Sequence, residues 1–126
     1  MAKDIFRIAV IGAGETGTPL LTQLLDASFV EILGVADLDA EAPGMRLARE
    51  RGVATTTDFM DLARLGEAVD VLIDVTGVPK VREALRQHMQ DSGNTHTLIV
   101  HEMVVQLMLS LLSGRLVQLK HEVEEY

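Results

Sequence analysis

Three glycines near the start of the chain have the spacing of an anion-binding turn. The stretch GAGETG at positions 12–17 fits the pattern G-x-G-x-x-G, and it lies between an apolar, β-branched run and a segment of helical periodicity. In that context Gly12 permits a tight turn, Gly14 lets the backbone approach a pyrophosphate, and Gly17 lets the helix pack against the strand. The free amides and the dipole at the start of the helix would hold the negative charge. The pattern therefore predicts a phosphate-binding turn made of backbone donors.

An acidic residue follows at the distance typical of dinucleotide-binding proteins. Asp37 ends the second predicted strand, 20 residues beyond Gly17, where a carboxylate can accept hydrogen bonds from an adenosine ribose. Its charge would repel a 2′-phosphate, so the pattern favours NAD(H) over NADP(H). Arg46 and Arg49 lie one predicted helix later and could weaken that repulsion. The alternative is that the glycines serve only packing and that Asp37 is an ordinary strand-end residue.

A second glycine-bearing loop, DVTGVP at positions 74–79, follows the fourth predicted strand. In a doubly wound sheet this loop faces the same crevice as the first glycines, although a simple strand-to-helix turn would explain it as well. The candidate cofactor-binding residues are Gly12, Gly14, Glu15, Thr16, Gly17, Asp37, Thr76 and Gly77.

The histidines offer little catalytic chemistry. His101 and Glu102 lie where the fifth strand should end, and a histidine there could act as a general acid or base. A strand-end histidine bonded to backbone is the preferred interpretation, and Val105 breaks the H-E-x-x-H zinc pattern. His88, His96 and His121 lack the spacing of metal ligands and are expected to face solvent. We therefore assign no catalytic residue and no metal ligand.

The elements that must position these residues alternate between strand and helix. Strands are predicted at 6–11, 31–36, 53–55, 69–75 and 97–100, and helices at 16–27, 42–51, 58–65, 78–91 and from about 102. This alternation predicts an α/β fold, a doubly wound parallel sheet of strand order 3-2-1-4-5. Its ligand crevice would lie at the carboxyl ends of strands one and four.

Composition narrows the possible partners. The chain has 126 residues, enough for one core, and its 48% hydrophobic fraction is mostly aliphatic, with 3% aromatic residues. A net charge of −8 without a basic cluster argues against nucleic acid and anionic membrane surfaces. His101, Glu102 and Gln106 interrupt the most apolar segment well before the ~20 residues that a bilayer span needs. The absence of cysteine is compatible with the cytoplasm, which is the expected location.

The last predicted helix carries an apolar seam. Its residues recur at alternating intervals of four and three, the rhythm of a coiled coil: Val105, Leu109, Leu112, Leu116, Leu119, Val123 and Tyr126. We expect a cofactor domain at 1–101 and a helix of more than twenty residues at 102–126 that forms a homodimer, although Gly114 could weaken it midway. The alternative is a final crossover helix buried entirely by its own domain.

The segments RIAVIGAGETG, VEILGVADLD and VDVLIDVTG resemble the cofactor domain of the glucose-fructose oxidoreductase and inositol dehydrogenase superfamily, over about residues 5–100. The resemblance implies a Rossmann fold that binds a nicotinamide dinucleotide, without the second α/β domain that supplies the substrate pocket. Many members have a Lys-Pro pair after strand five, where this chain has IVHEMV. ADLDAEAPGMRLARERGV and VLIDVTGVPKV are more similar to the oxidoreductase-like N-terminal domain of some bacterial sensor histidine kinases.

These observations favour a nicotinamide-dinucleotide-binding regulatory or sensory domain in signal transduction, dimeric and not catalytic alone. One alternative is the cofactor-binding part of an NAD-dependent oxidoreductase. Another is an interaction domain with a vestigial nucleotide site.

Overall fold

The computed structural model describes residues 4–15 and 17–118. The strands are β1 (Phe6–Ile11), β2 (Val30–Ala36), β3 (Thr55–Thr56), β4 (Val71–Asp74) and β5 (Leu98–Val100). The helices are α1 (Gly17–Asp26), α2 (Pro43–Glu50), α3 (Met60–Ala63), α4 (Pro79–Ser92) and α5 (Glu102–Ser113), with a 3-10 turn at Gly66–Ala68. Each predicted element is present, and most of its bounds lie within two residues of the prediction.

The five strands form one parallel sheet in the order β3-β2-β1-β4-β5, as predicted. The chain winds from β1 outward to β3 and then crosses to β4, so β1 and β4 are neighbours at the reversal point. Loops that leave the carboxyl ends of these two strands run in opposite directions and open a crevice between them. This topology places the glycine turn after β1 beside the loop after β4.

The central strand explains why the sheet is covered on both faces. Ile8 and Val10 belong to a core shared with α1, α2 and α5, whereas Ala9 and Ile11 belong to a second core with α3 and α4. Because successive side chains of a strand point to opposite faces, an uninterrupted apolar run requires helices on both sides.

The C-terminal helix is shorter than the sequence predicts. It ends at Ser113, because Gly114 has the left-handed φ of +75° that commonly terminates a helix. The chain then folds back: the Val117 N–H donates to Ser110 Oγ at 2.9 Å, and Gln106 Nε2 donates to the Val117 carbonyl at 2.9 Å. The predicted seam is therefore interrupted after Leu112.

The two ends of that seam have different environments. Val105 and Leu109 are buried in the domain's own core, as a crossover helix requires, while Leu112 and Leu116 are exposed. Leu116 lies beyond the helix, and Leu119, Val123 and Tyr126 lie outside the described residues.

The division of the chain into a cofactor domain and a C-terminal helix at residue 101 stays a prediction. Among the described residues, no helix is both long enough and apolar enough to span a membrane.

Candidate functional site

Two of the three glycines in the first turn have no room for a side chain. Gly12 follows β1 with a φ of +102°, and a Cβ there would lie 2.6 Å from Val75 Cγ2. A Cβ on Gly17 would lie 2.5 Å from the carbonyl oxygen of Gly12, which is backbone and cannot rotate away. These two glycines are therefore required by the close packing of β1, α1 and the loop after β4.

The start of α1 is held by the middle of the same turn. The Thr18 N–H and the Thr18 hydroxyl both donate to the Gly14 carbonyl, at 3.1 and 2.8 Å. Gly14 is half-buried and Glu15 is exposed, whereas Thr16 lies outside the described residues. The roles of these three residues toward a ligand stay predictions.

Asp37 ties the end of β2 to the glycine turn. Its carboxylate accepts hydrogen bonds from the Ala13 N–H at 2.8 Å and the Asp39 N–H at 2.9 Å, one on each oxygen, and the residue is only 5% exposed. Each oxygen retains a second lone pair that a ribose hydroxyl could use. Arg49 does not offset this charge directly, because it pairs with Glu41 and the Ala40 carbonyl. The sequence pattern found Asp37 but not its bond to the turn.

The second glycine loop is organised by a buried carboxylate. Asp74 ends β4 and accepts both the N–H and the hydroxyl of Thr76, at 2.9 and 2.7 Å, while the Thr76 hydroxyl accepts the Val78 N–H at 3.1 Å. Thr76 is fully buried, and Gly77 is half-buried with a φ of +68°. A ligand in the crevice would thus meet Gly77 or the backbone here, because the Thr76 hydroxyl is already used.

His101 has a side-chain partner that sequence reasoning missed. Its Nδ1 lies 3.0 Å from Asp74 Oδ2, and Asp74 is 2% exposed, so the expected bond to backbone is replaced by a histidine–carboxylate pair. The available signal was that both residues directly follow or end neighbouring parallel strands, which brings them to the same edge of the sheet. Glu102 begins α5 and is half-buried.

A second histidine–carboxylate pair lies at the opposite end of the strands, just before β4 and β5 begin. His96 Nε2 is 2.7 Å from Asp70 Oδ1, and Asp70 Oδ2 accepts the Arg7 N–H at 2.9 Å. His96 is 46% exposed, as expected, and it also contacts the Asp70 carboxylate, which the sequence did not predict. His88 is half-buried, and His121 lies outside the described residues.

The carboxyl edge of the sheet thus brings together Gly12, Gly14 and Gly17 of the glycine turn, Asp37, the 76–77 loop and His101. No group of three or more histidine, aspartate or glutamate side chains suited to a metal ion occurs within residues 4–15 and 17–118. The chemistry available at this edge is that of backbone donors, two nearly buried carboxylates and one imidazole.

No protein-family model matches the chain. Curated relatives include an acetaldehyde dehydrogenase of Desulfitobacterium hafniense, 38% identical over 77 residues that cover 60% of this chain and 26% of the relative. An acetaldehyde dehydrogenase of Sphingobium yanoikuyae is 45% identical over 56 residues, covering 44% of this chain and 18% of the relative. The chain thus spans about a quarter or less of the length of these relatives.

Similar solved structures include GenD2 from gentamicin A biosynthesis in complex with NAD, with a TM-score of 0.58 and 22% identity over 94% of this chain and 34% of GenD2. An NAD-binding protein from Listeria innocua has a TM-score of 0.56 and 16% identity, over 87% of this chain and 33% of that protein. A myo-inositol dehydrogenase from Corynebacterium glutamicum has a TM-score of 0.50 and 17% identity, over 76% of this chain and 36% of the enzyme. At these identities the likeness shows the fold: the chain is a Rossmann-like α/β domain similar to domains of those proteins.

Proposed function

We propose that this domain binds NAD(H) in the crevice at the carboxyl ends of β1 and β4. The observation that carries the proposal is the bond from the Ala13 N–H to Asp37, which joins a glycine turn with no room for side chains at Gly12 and Gly17 to the acidic residue after β2. Dinucleotide-binding Rossmann domains use these two features for the pyrophosphate and the ribose. The NAD complex of GenD2, which has the same fold, supports the choice of ligand.

In this proposal the ligand extends along the strand order β2-β1-β4-β5. The adenosine ribose would bind at Asp37, and the pyrophosphate at the N-terminus of α1. The nicotinamide would then extend toward Gly77 and His101. The proposed cofactor-binding residues remain Gly12, Gly14, Glu15, Thr16, Gly17, Asp37, Thr76 and Gly77, with NADP(H) as the weaker ligand.

Calorimetry with NAD⁺ and NADH tests this proposal. We expect Gly14→Val to weaken binding at least about tenfold, because a branched side chain would occupy the space of the pyrophosphate. Circular dichroism checks that the variant is folded. If the unmodified protein takes up neither nucleotide at millimolar concentration, the crevice is vestigial and the domain serves another interaction.

For the role of the bound dinucleotide, the cofactor-binding part of an NAD-dependent oxidoreductase is the interpretation with the most support. The acetaldehyde dehydrogenase relatives match over about a quarter of their own length, which leaves ample chain in those enzymes to form a substrate site. In this interpretation another segment or another chain would supply that site here.

A regulatory or sensory role in signal transduction is the second candidate, and the outer face of α5 favours it. Met103, Leu107 and Leu111 recur at intervals of four and are 77%, 57% and 72% exposed. Pairing of this face with its copy would form a homodimer. His101, at the edge of the sheet where the nucleotide is proposed to bind, directly precedes α5, so this helix would connect the nucleotide site with the interface. The resemblance to sensor histidine kinase domains supports the same role, and a cytoplasmic location remains part of this proposal.

A further inference from the structure

A groove lies beside the edge strand, between β5 and α4, and His101 is the one residue of its lining that the dinucleotide proposal also uses. Its volume is about 480 Å³, which is within the range of small-molecule sites. Its walls are formed by Arg82, Arg86, Met89, Gln90, Asn94, Ile99 and His101.

The two ends of the groove differ in chemistry. α4 begins directly after the loop that leaves the carboxyl end of β4, so Arg82 in its first turn lies at the same end as His101, which follows β5. Asn94 follows α4 and lies near the beginning of β5, at the opposite end. Between them, Met89 and Ile99 provide apolar surface. The groove thus has a cationic end, an apolar middle and an amide end.

The cationic end has capacity for an anion. The Arg82 side chain is exposed and makes no hydrogen bond or ion pair with any residue in the described ranges 4–15 and 17–118, whereas its backbone N–H donates to the Val78 carbonyl. By contrast, Arg86 is bonded to Glu83, and this hydrogen bond and the charge of Glu83 raise the pKa of Arg86. Because Asp74 engages Nδ1 of His101, Nε2 is the ring nitrogen left for a ligand.

We propose that this groove binds a small monocarboxylate with a short apolar body. The carboxylate would pair with the Arg82 guanidinium and accept a hydrogen bond from Nε2–H of the His101 imidazolium, the form in which Nδ1–H donates to Asp74 and Nε2 also carries a proton. Charge-assisted bonds of this kind are the stronger ones in proteins. The apolar body would contact Met89 and Ile99. The Asp74 carboxylate is a positioning group here, since it orients the imidazole without touching the ligand. Binding in this groove does not require NAD(H), although its cationic end opens at the edge where the nicotinamide is proposed to lie.

Nuclear magnetic resonance with a matched pair of probes tests the site. Butyrate and butyramide have nearly the same size and differ in charge, and both are titrated at constant ionic strength set with chloride. We expect butyrate to shift the His101 Cε1–Hε1 and Arg82 Nε–Hε signals saturably, with a Kd in the millimolar range, and butyramide to bind at least about tenfold more weakly.

Two variants of α4 distinguish binding in the groove from non-specific attraction of butyrate to a positive charge. Arg82→Gln should weaken butyrate binding at least about tenfold. Lys80→Gln is the matched control, because Lys80 is an exposed cation of α4 that does not line the groove. It should change the Kd less than about twofold.

The results overturn the proposal if neither signal shifts at about 100 mM butyrate, if butyramide binds equally well, or if the two variants have the same effect. A separate titration, with NADH in place of butyrate, distinguishes this proposal from the dinucleotide proposal. Butyrate binding without NADH binding supports the groove and contradicts the cofactor proposal, and the reverse result contradicts only the groove.

Discussion

At the scale of single residues, Gly17 at the start of α1 has no space for a side chain. We predict that Gly17→Ala destabilises the fold by about 1–3 kcal/mol and abolishes NADH binding, because the new Cβ would press on the Gly12 carbonyl. Chemical denaturation and calorimetry measure the two effects.

Gly52→Ala is a useful control for this substitution. Gly52 has a φ of +75°, but a Cβ there would meet nothing within 4 Å. Its only cost is the left-handed backbone, about 1–2 kcal/mol, and NADH binding should be unchanged. Normal NADH affinity in Gly17→Ala would show that the turn tolerates a side chain and does not shape the cofactor site.

The second residue-scale prediction concerns nucleotide preference. Asp37→Asn removes the charge and keeps one acceptor oxygen, so only one of the two loop amides keeps its partner. NADH should bind about tenfold more weakly, and its advantage over NADPH should narrow. Asp37→Ala should show the same narrowing, with an added loss of stability because the buried Ala13 N–H loses its partner. Titrations with both nucleotides measure the ratio.

Asp39→Asn is the matched control for this preference. Asp39 is exposed, lies two residues away in the same loop, and accepts the Glu41 N–H. An NADH-to-NADPH ratio that changes equally in both variants would mean that Asp37 has no special position at the ribose.

At the scale of elements, α5 has two faces with different functions. Val105 and Leu109 complete the domain core, whereas the outward face is apolar without being covered by described residues. We predict that Leu107→Glu with Leu111→Glu gives a folded monomer if α5 pairs with its copy, because charges would replace apolar surface at the interface. Light scattering reports mass, and circular dichroism reports folding.

The core face supplies the comparison for that experiment. Val105→Glu should unfold the domain, since it places a charge at a residue that is 1% exposed. A double variant of the outer face that remains dimeric excludes α5 as the interface, and an unmodified protein that is already monomeric contradicts the dimer altogether.

At the scale of the whole molecule, the question is whether this chain catalyses a reaction by itself. We predict that it does not reduce NAD⁺ with acetaldehyde, because the part of the chain that resembles acetaldehyde dehydrogenases is about a quarter of their length. The absorbance of NADH follows the reaction. Turnover that is lost in His101→Asn but kept in His96→Asn would contradict this prediction and assign a catalytic role to the histidine beside Asp74.

The sequence by itself determined the order of elements, the parallel sheet and the place of the glycine turn. These features follow from local patterns: apolar runs of strand length, helical periodicity, and the right-handed βαβ connection that leaves few topologies. The turn at residues 12–17 could be located because its neighbours in sequence are also its neighbours in space.

Only the tertiary structure decided how distant polar groups pair and what each face of α5 contacts. Asp74 and His101 are 27 residues apart, and Asp37 and Ala13 are 24 apart. Their contact depends on strand order and register rather than on any local pattern. Likewise, the four-three spacing from Val105 onward suits a coiled coil and a crossover helix equally well. The packing of Val105 and Leu109 against the sheet and the left-handed turn at Gly114 decided between them within the described residues.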